Sequence, residues 1–509
     1  MKFKRSLTLL LAGLIFCIAL VACQTPGATN PTNTTDTQGE TTTPSTSEAV
    51  TTEEDTLTLP DGLYYEDYEF KILSWAPAGA EWQYSTFNIT PDDIGGDRVS
   101  EACYRRNEMI SELLGVTVSE DPSGSAIKLD RINQIVLSEP DEFDIVLLKD
   151  RFAFSAACEG LIVSCSDLPH VSLEKAWWYP TMNAELSLND EVYFAYGNHN
   201  LDTFNMMQIM LFNAQYVKDL KQTSPYELVK KGEWTLDQMY TMAALYNSDV
   251  NADQVMTADD NWGIICSQDT WYPNFGPING HGVIVKDEDK NPMMNVLDNE
   301  TLISIWQAVL EHEKAEDMVL VSGWEDIGVY NKSSNRYENA ANMFAAGKSL
   351  FLGTFVGQID TVIAANMKDA YGIIPFPTYE EIAPGESYVG YMYGAGNAFC
   401  IPNNASDLDR TSAILEAIAY YSYSTVLPEL YETKVLVRGA PDDDARDVLI
   451  MLNNNRFTDL SVAYWFDIGT AFNDCFRLGE NTFVSKYGEN NERYNQIIEE
   501  SLIKLEFNS

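Results

Sequence analysis

Apolar and polar residues follow a repeating order through the body of the chain. Tyr68–Trp75 (YEFKILSW) alternates and then runs apolar, as a strand does. Asp97–Leu114 places Val99, Met109, Ile110, Leu113 and Leu114 at helical spacing, and Gly115 suits the helix C-cap. Val116-Thr117-Val118 predicts the next strand, Ser125–Leu137 a helix, and Phe143–Leu148 (FDIVLL) a fully buried strand. This βαβαβ order predicts a parallel or mixed sheet with helices on both faces. Ligands of such sheets sit beyond the carboxyl ends of the strands, where Trp75 and the run Lys149-Asp150-Arg151 stand.

Further along, Gly232–Gln238 opens a helix, with Thr235 and Gln238 as a capping box and Trp234 packing on Met239 as a staple. That gives Trp234 a structural task. Ser349–Leu352 predicts a strand, followed by a helix to about Met367. A strand Asn397–Ile401 and a helix from Asp409 to Ser422 come next.

The first residues differ from all of this. Lys2, Lys4 and Arg5 precede an almost wholly apolar run, Leu7 to Leu20, which is short for a membrane span of roughly 20 residues. Leu20-Val21-Ala22-Cys23 then stands at a cleavage position, so residues 1–22 predict a secretory signal rather than part of the fold. Residues 24–56 hold 13 Thr, three Pro, no aromatic residue and no Lys or Arg. Such a stretch buries too little apolar surface to offset chain ordering, which predicts a disordered tether over 23–56.

Charge narrows the function classes. The 509 residues carry a formal charge of −44, and cleavage would remove three more positive side chains. A polyanionic surface with no basic patch repels phosphate backbones, so nucleic acid is not an expected partner. Four scattered His, with no metal-ligand spacing, predict no metal; His199 and His281 are the two that could face a cleft. Cys103, Cys158, Cys165, Cys266, Cys400 and Cys475 form no Cys-x-x-Cys pair. Buried free thiols are the blander expectation, although Cys158 and Cys165 are close enough in sequence to bridge.

Other chemical-looking motifs fail. Gly347-Lys348-Ser349 imitates a phosphate loop but precedes a strand and lacks the first Gly. Asp287, Asp289 and Asn291 imitate a calcium loop, yet Pro292 takes the obligatory Gly position. Asp442-Asp443-Asp444 predicts a solvated loop after Pro441. No pair of carboxylates is singled out for glycoside cleavage.

Seven segments in order carry a resemblance. They are FDIVLLKDRF (143–152), LFNAQYV (211–217), GEWTLDQM (232–239), FAAGKSLFLGTFVGQID (344–360), YGIIPFPTY (371–379), YVGYMYGAGNAFCI (388–401) and VAYWFDIGTAF (462–472). The set resembles the extracellular solute-binding proteins of the carbohydrate class, the lipid-anchored receptors of ABC importers, of which the maltose-binding branch is best known. By that resemblance Cys23 is the lipidated first mature residue.

The resemblance implies an α/β, type II periplasmic-binding-protein-like fold: two lobes, each a mixed sheet flanked by helices, joined by hinge segments. Residues 57–195 and 378–426 would form lobe 1, and 196–377 and 427–509 lobe 2. Crossings would fall near Tyr193–Asn200, Ile374–Thr378 and Ser424–Leu430, with surplus length in polar loops near 202–207, 330–339 and 442–456.

It also implies a site. Asp150 and Arg151 match an Asp-Arg pair that reaches sugar hydroxyls, and Trp75 follows the first strand where relatives place polar contacts. Trp271 and Tyr272 lie where relatives put an aromatic on the cleft wall, in a loop with Pro273, Gly276 and Pro277. Phe355 stands between cleft wall and core. Trp465 matches a stacking Trp, in a Tyr464-Trp465-Phe466 triple of which at least one ring must be core. Trp177 and Trp178 are cleft or anchor.

The expected protein has no cofactor and catalyses no covalent change. It works as a monomer on the extracellular face of the cell membrane, held there by its lipid. It captures a neutral mono- or oligosaccharide by stacking and hydrogen bonding, and delivers it to a membrane permease. A peptide, amino acid or polyamine in the same fold, and a surface glycosidase, are the competing expectations.

Overall fold

In the computed structural model, Tyr68–Trp75 forms a strand that pairs in parallel with Val116–Ser123, in register from Tyr68 opposite Val116 to Trp75 opposite Ser123. The structure describes residues 56–75, 89–91, 97–123, 127–316, 318–322, 335–365, 367–394, 396–437 and 440–508. Cys23, the signal and the tether as far as residue 55 lie outside them.

Between these two strands runs the helix Arg98–Leu114. The Asp97 carboxylate accepts from the Val99 and Ser100 N–H groups, and Gly115 closes the helix at φ 73°. Its buried stripe is Ala102, Cys103, Arg106, Ile110 and Leu114, while Met109 and Leu113 are exposed. Spacing alone marked the helix but not which of its apolar residues face inward. Arg106 is buried because it has work there: its guanidinium donates to Ser422 Oγ (3.1 Å) and to the Ile89 carbonyl (2.5 Å).

The first sheet has the order Val116–Ser123, Tyr68–Trp75, Ile145–Lys149, Asn397–Pro402, Ile162–Val163. The first three strands are parallel, and Asn397–Pro402 runs against them with Asn397 opposite Lys149. The second sheet has the order Tyr371–Ile374, Gln208–Asn213, Ser349–Phe355, Trp262–Ser267, Val319–Ser322. In it Gln208–Asn213 is antiparallel to both neighbours and the last three strands are parallel. Both sheets are mixed, and their central strands are buried along their length, as continuous apolar runs require.

The chain leaves the first sheet after Ala195, which bridges Phe399, and enters the second at Gln208. The stretch between is no polar loop. Asp202, Thr203, Phe204 and Asn205 are a buried helical turn, with Asp202 accepting from Asn397 Nδ2 at 2.8 Å. The return runs from Ile374 to Asn397 and includes a strand Gly390–Met392 that pairs with Arg456–Thr458. A third passage is helical: Leu408–Tyr421 widens into a π turn at Ser422–Val426 and continues as Leu427–Lys434. Pro428 has no N–H to give the Ser424 carbonyl and its ring needs room there, which a widened turn supplies.

Asp442–Asp444 is not a solvated loop. Asp442 caps a helix, Asp443–Asn454, accepting from the Ala445 N–H at 3.1 Å, and Asp443 and Asp444 stand in its first turn, where the helix dipole favours negative charge. Of the stretch 330–339, residues 335–339 are the start of the helix Arg336–Ala345, capped by Asn335, and the earlier residues are not described.

The C-terminal helix Asn491–Asn508 lies on the helix Asp150–Cys158, with Asn508 Nδ2 donating to the Cys158 carbonyl at 2.8 Å and Lys504 paired with Glu159 at 2.8 Å. Trp234 is buried and its indole donates to the Pro375 carbonyl at 3.0 Å. Trp177 and Trp178 are likewise buried, both indoles donating to Glu416 (3.0 and 2.5 Å). The six described cysteines are all free and buried. Among the described residues no helix is long and apolar enough to cross a membrane.

Candidate functional site

The strand Ile145–Lys149 ends at Lys149, and the helix Asp150–Cys158 starts at the next residue. In the second sheet Trp262–Ser267 ends in a turn held by a capping box, with the Ser267 N–H donating to Thr270 Oγ1 at 3.1 Å. Ser349–Phe355 ends at Phe355, directly opposite Gln208. These carboxyl ends converge on one cavity of about 690 Å³, the place where open α/β sheets hold ligands.

Its walls are aromatic and polar in turn. Phe355, Tyr337, Tyr393 and Phe466 supply rings, while Lys149, Arg151, Gln208, Asp269, Arg336 and Asn473 supply polar groups. Tyr337 meets Phe355 edge to face at 5.4 Å, and Tyr393 packs on Phe466 at 5.8 Å. Asp269 ties one wall together: it pairs with Arg336 and accepts from the Tyr337 hydroxyl at 2.7 Å. Gly394 lines the floor at φ 43°, and a Cβ there would come within 2.8 Å of Val462.

Three buried polar atoms of the lining residues have no hydrogen-bond partner among the described residues: Gln208 Oε1, Asn473 Oδ1 and Arg336 Nε. An unmet buried group costs about 1–3 kcal/mol, which a ligand would relieve once these side chains turn to it. Burial lowers the Lys149 ammonium to about 8, with help from the Arg151 charge. Among the described residues no group of three His, Cys, Asp or Glu stands close enough to hold a metal ion.

The residues singled out in the sequence divide. Arg151 lines the cavity, its guanidinium 4.6 Å over the Phe466 ring, and so does Phe355. Asp150 is buried behind them: Oδ1 accepts from the Arg151 N–H at 2.8 Å, and burial raises its pKa to about 6 against the pull of that bond, Arg151 and Tyr196. Trp271 and Tyr272 are not on the cavity wall. They are buried, donating to the two oxygens of Glu313 (2.7 and 2.8 Å), and Trp271 packs against Phe275 and Phe376. The Pro-rich loop there is folded inward over the helix Glu300–Glu316, so these rings are core.

Trp465 also turns away from this cavity. Its indole donates to Ser501 Oγ at 3.2 Å and its ring meets Phe154 at 5.3 Å. It lines a second cavity, about 750 Å³, against the helices Asp150–Cys158 and Asn491–Asn508. Arg151 and Phe466 belong to both cavities and stand between them. Trp75 ends its strand, and its side chain lies outside the described residues. His199 is enclosed between Trp178 and Phe399, and His281 beside Asn299; neither lines the cavity.

Gln208, Asp269, Arg336, Tyr337, Tyr393 and Phe466 were not anticipated. The rule that ligands sit past strand ends was available for Asp269, two residues beyond Ser267, and Phe466 adjoins the chosen Trp465. Gln208 sits at the amino end of an antiparallel strand, where no such rule points.

No protein-family model matches the sequence, and no curated protein sequence matches it. Solved structures do resemble it. A sugar transporter from Rhizobium etli in an open conformation aligns over 86% of this chain and 98% of its own at TM-score 0.55 and 13% identity. UgpB from Mycobacterium tuberculosis, in complex with glycerophosphocholine, aligns over 86% and 100% at 0.53 and 15%. A cyclo/maltodextrin-binding protein complexed with maltotetraose aligns over 86% and 96% at 0.51 and 13%. The chain therefore has the two-lobed type II periplasmic-binding-protein fold, α/β with two mixed sheets flanked by helices.

Proposed function

We propose that this protein is a lipid-anchored, extracellular substrate-binding protein of an ABC transporter, which captures a neutral mono- or oligosaccharide and hands it to a permease. The observation that carries this is the cavity at the facing strand ends, where four aromatic rings alternate with hydrogen-bonding side chains. Sugar rings stack their C–H faces on aromatics and need polar partners for their hydroxyls. The charges argue for a neutral ligand: the lining cations Lys149, Arg151 and Arg336 are matched by Asp269, Asp467 and Asp474. A polyamine or cationic peptide would call for a surplus of carboxylates.

The lobes are proposed as 57–195 with 378–426, and 196–377 with 427–509. They close on ligand because contacts are made from both sides, Lys149 and Arg151 on one and Gln208, Asp269 and Phe355 on the other. Cys23 would hold the body outside the membrane through its Thr-rich tether.

Calorimetry over a panel of mono- and oligosaccharides tests this, with Phe355→Ala and Arg151→Ala as controls. Saturable binding of a neutral sugar that both variants weaken supports it. No binding across the panel, tight binding of a cationic solute, or sustained release of sugar products at catalytic protein levels would replace it.

A further inference from the structure

The cavity behind Trp465 is larger than the cleft, about 750 Å³ against about 690 Å³, and sugar capture in the cleft alone leaves it unused. Arg151, Phe466 and Asp467 line both cavities. Arg151 and Phe466 are half-buried and Asp467 is exposed, so the divide is a ridge open along its top rather than a closed partition.

Arg151 is placed to serve both sides of that ridge. Its guanidinium lies over two rings, 5.3 Å from the centre of Phe152 and 4.6 Å from that of Phe466. Stacking fixes the guanidinium plane without consuming its N–H groups. The group makes no hydrogen bond and no ion pair among the described residues, and none of its nitrogens is enclosed as Arg336 Nε is. Up to five N–H donors therefore stand unspent where the two cavities meet.

The second cavity has the same make-up as the first. Phe152 lines it and not the cleft, and is half-buried like Phe466, so a part-exposed ring stands on the far side of the ridge. Ile497, Glu500, Ser501 and Lys504 of the C-terminal helix form the opposite wall. Trp465 is the floor, 4% exposed with its indole N–H spent on Ser501. The charges nearly cancel, Arg151 and Lys504 against Glu159, Glu500 and Asp467, which suits a neutral chain.

We propose that the ligand is an oligosaccharide long enough to cross the ridge, with one end in the cleft and its next units in the second cavity. Arg151 donates to hydroxyls at the crossing, and Phe152 gives the units beyond it a stacking face. This rests on the sugar-binding reading above and narrows it, because a monosaccharide in the cleft makes none of the contacts past Arg151.

The test is calorimetry on the full-length chain with xylo-, manno-, cello- and malto-oligosaccharides, each from monosaccharide to hexasaccharide. Within the series that binds, affinity should rise about tenfold or more once the chain outgrows the cleft, and then level off. Phe152→Ala and Lys504→Ala lie outside the cleft lining. Each should weaken the longer members and leave the shortest binding members within a few-fold of the parent. Lys504 is exposed, so its variant keeps the comparison open if Phe152→Ala fails to fold. Affinity that is flat with chain length would overturn the proposal and leave sugar capture in the cleft standing. Variants that spare the long members, or weaken short and long members alike, would do the same. No binding by any member would remove the cleft reading and this proposal with it.

Discussion

The guanidinium of Arg151 lies 4.6 Å above the ring of Phe466, and that contact is the wall between the cleft cavity and the larger cavity behind it. Arg151 follows the third strand of the first sheet, whereas Phe466 comes from a short helix more than three hundred residues later. Neither side chain alone makes the wall.

Removing either partner should therefore weaken ligand capture. Arg151→Ala and Phe466→Ala are each expected to lower affinity tenfold to a hundredfold, about 1.4–2.8 kcal/mol. The double variant should lose less than the sum of the two, because they share one contact. Titration calorimetry on all three, with the best ligand of the panel, checks this. Additive losses would mean that the pair does not act as a unit.

Trp271 should behave differently from Phe355. Trp271→Ala removes a fully buried ring and leaves Glu313 with one donor fewer, at a cost of about 3–5 kcal/mol of stability. Its affinity, measured well below the unfolding transition, should stay within a few-fold of the parent. Phe355→Ala should lower affinity at least tenfold. Denaturant melts paired with calorimetry separate the two, and a large affinity loss in Trp271→Ala would return that residue to the site.

Gln208 sets function against stability. Gln208 lines the cavity, and its Oε1 is buried without a partner among the described residues, so Gln208→Leu should leave stability unchanged or raise it by about 1 kcal/mol. The same change should weaken sugar binding, because a hydroxyl partner is lost. A variant that is more stable and binds equally well would show that Oε1 serves no ligand.

Stability should fall between pH 5 and 7.5. Burial raises Asp150 and Asp459 to about 6, and Glu185 and Glu313 to about 7. Each keeps its proton to a higher pH folded than unfolded. The stability so gained is full below about 4 and is lost as the pH rises through 6 and 7. Lys149 acts the other way. Its folded value of about 8 lies below the unfolded one, so its penalty is relieved above pH 8. Urea midpoints across pH 5 to 9 should thus pass through a minimum near 7 to 8, and Glu313→Gln should flatten the falling limb.

The strands were readable because FDIVLL, SLFL and NAFCI are apolar on both faces, and a buried central strand has no other pattern. The site was less readable for two reasons. Trp465 is the non-helical junction between two short helices (φ −121°, ψ 58°), a break no periodicity reveals, and its ring goes to the second cavity while Phe466, one residue on, reaches the cleft as well. Trp271 and Tyr272 owe their burial to Glu313, some forty residues further on, a partner no local window contains. Their prolines and glycines signalled a surface loop, the common case, but here the loop is tucked inward.

The six enclosed thiols of the body have a practical consequence. With no bridge among them to form, the body should reach its native state in a reducing host as readily as in an oxidising one. A seventh thiol introduced at the mouth of the cleft, for instance Asp467→Cys, would be the accessible one among the described residues. A dye carried there would test whether the two halves approach on ligand, without interference from the native sulfurs.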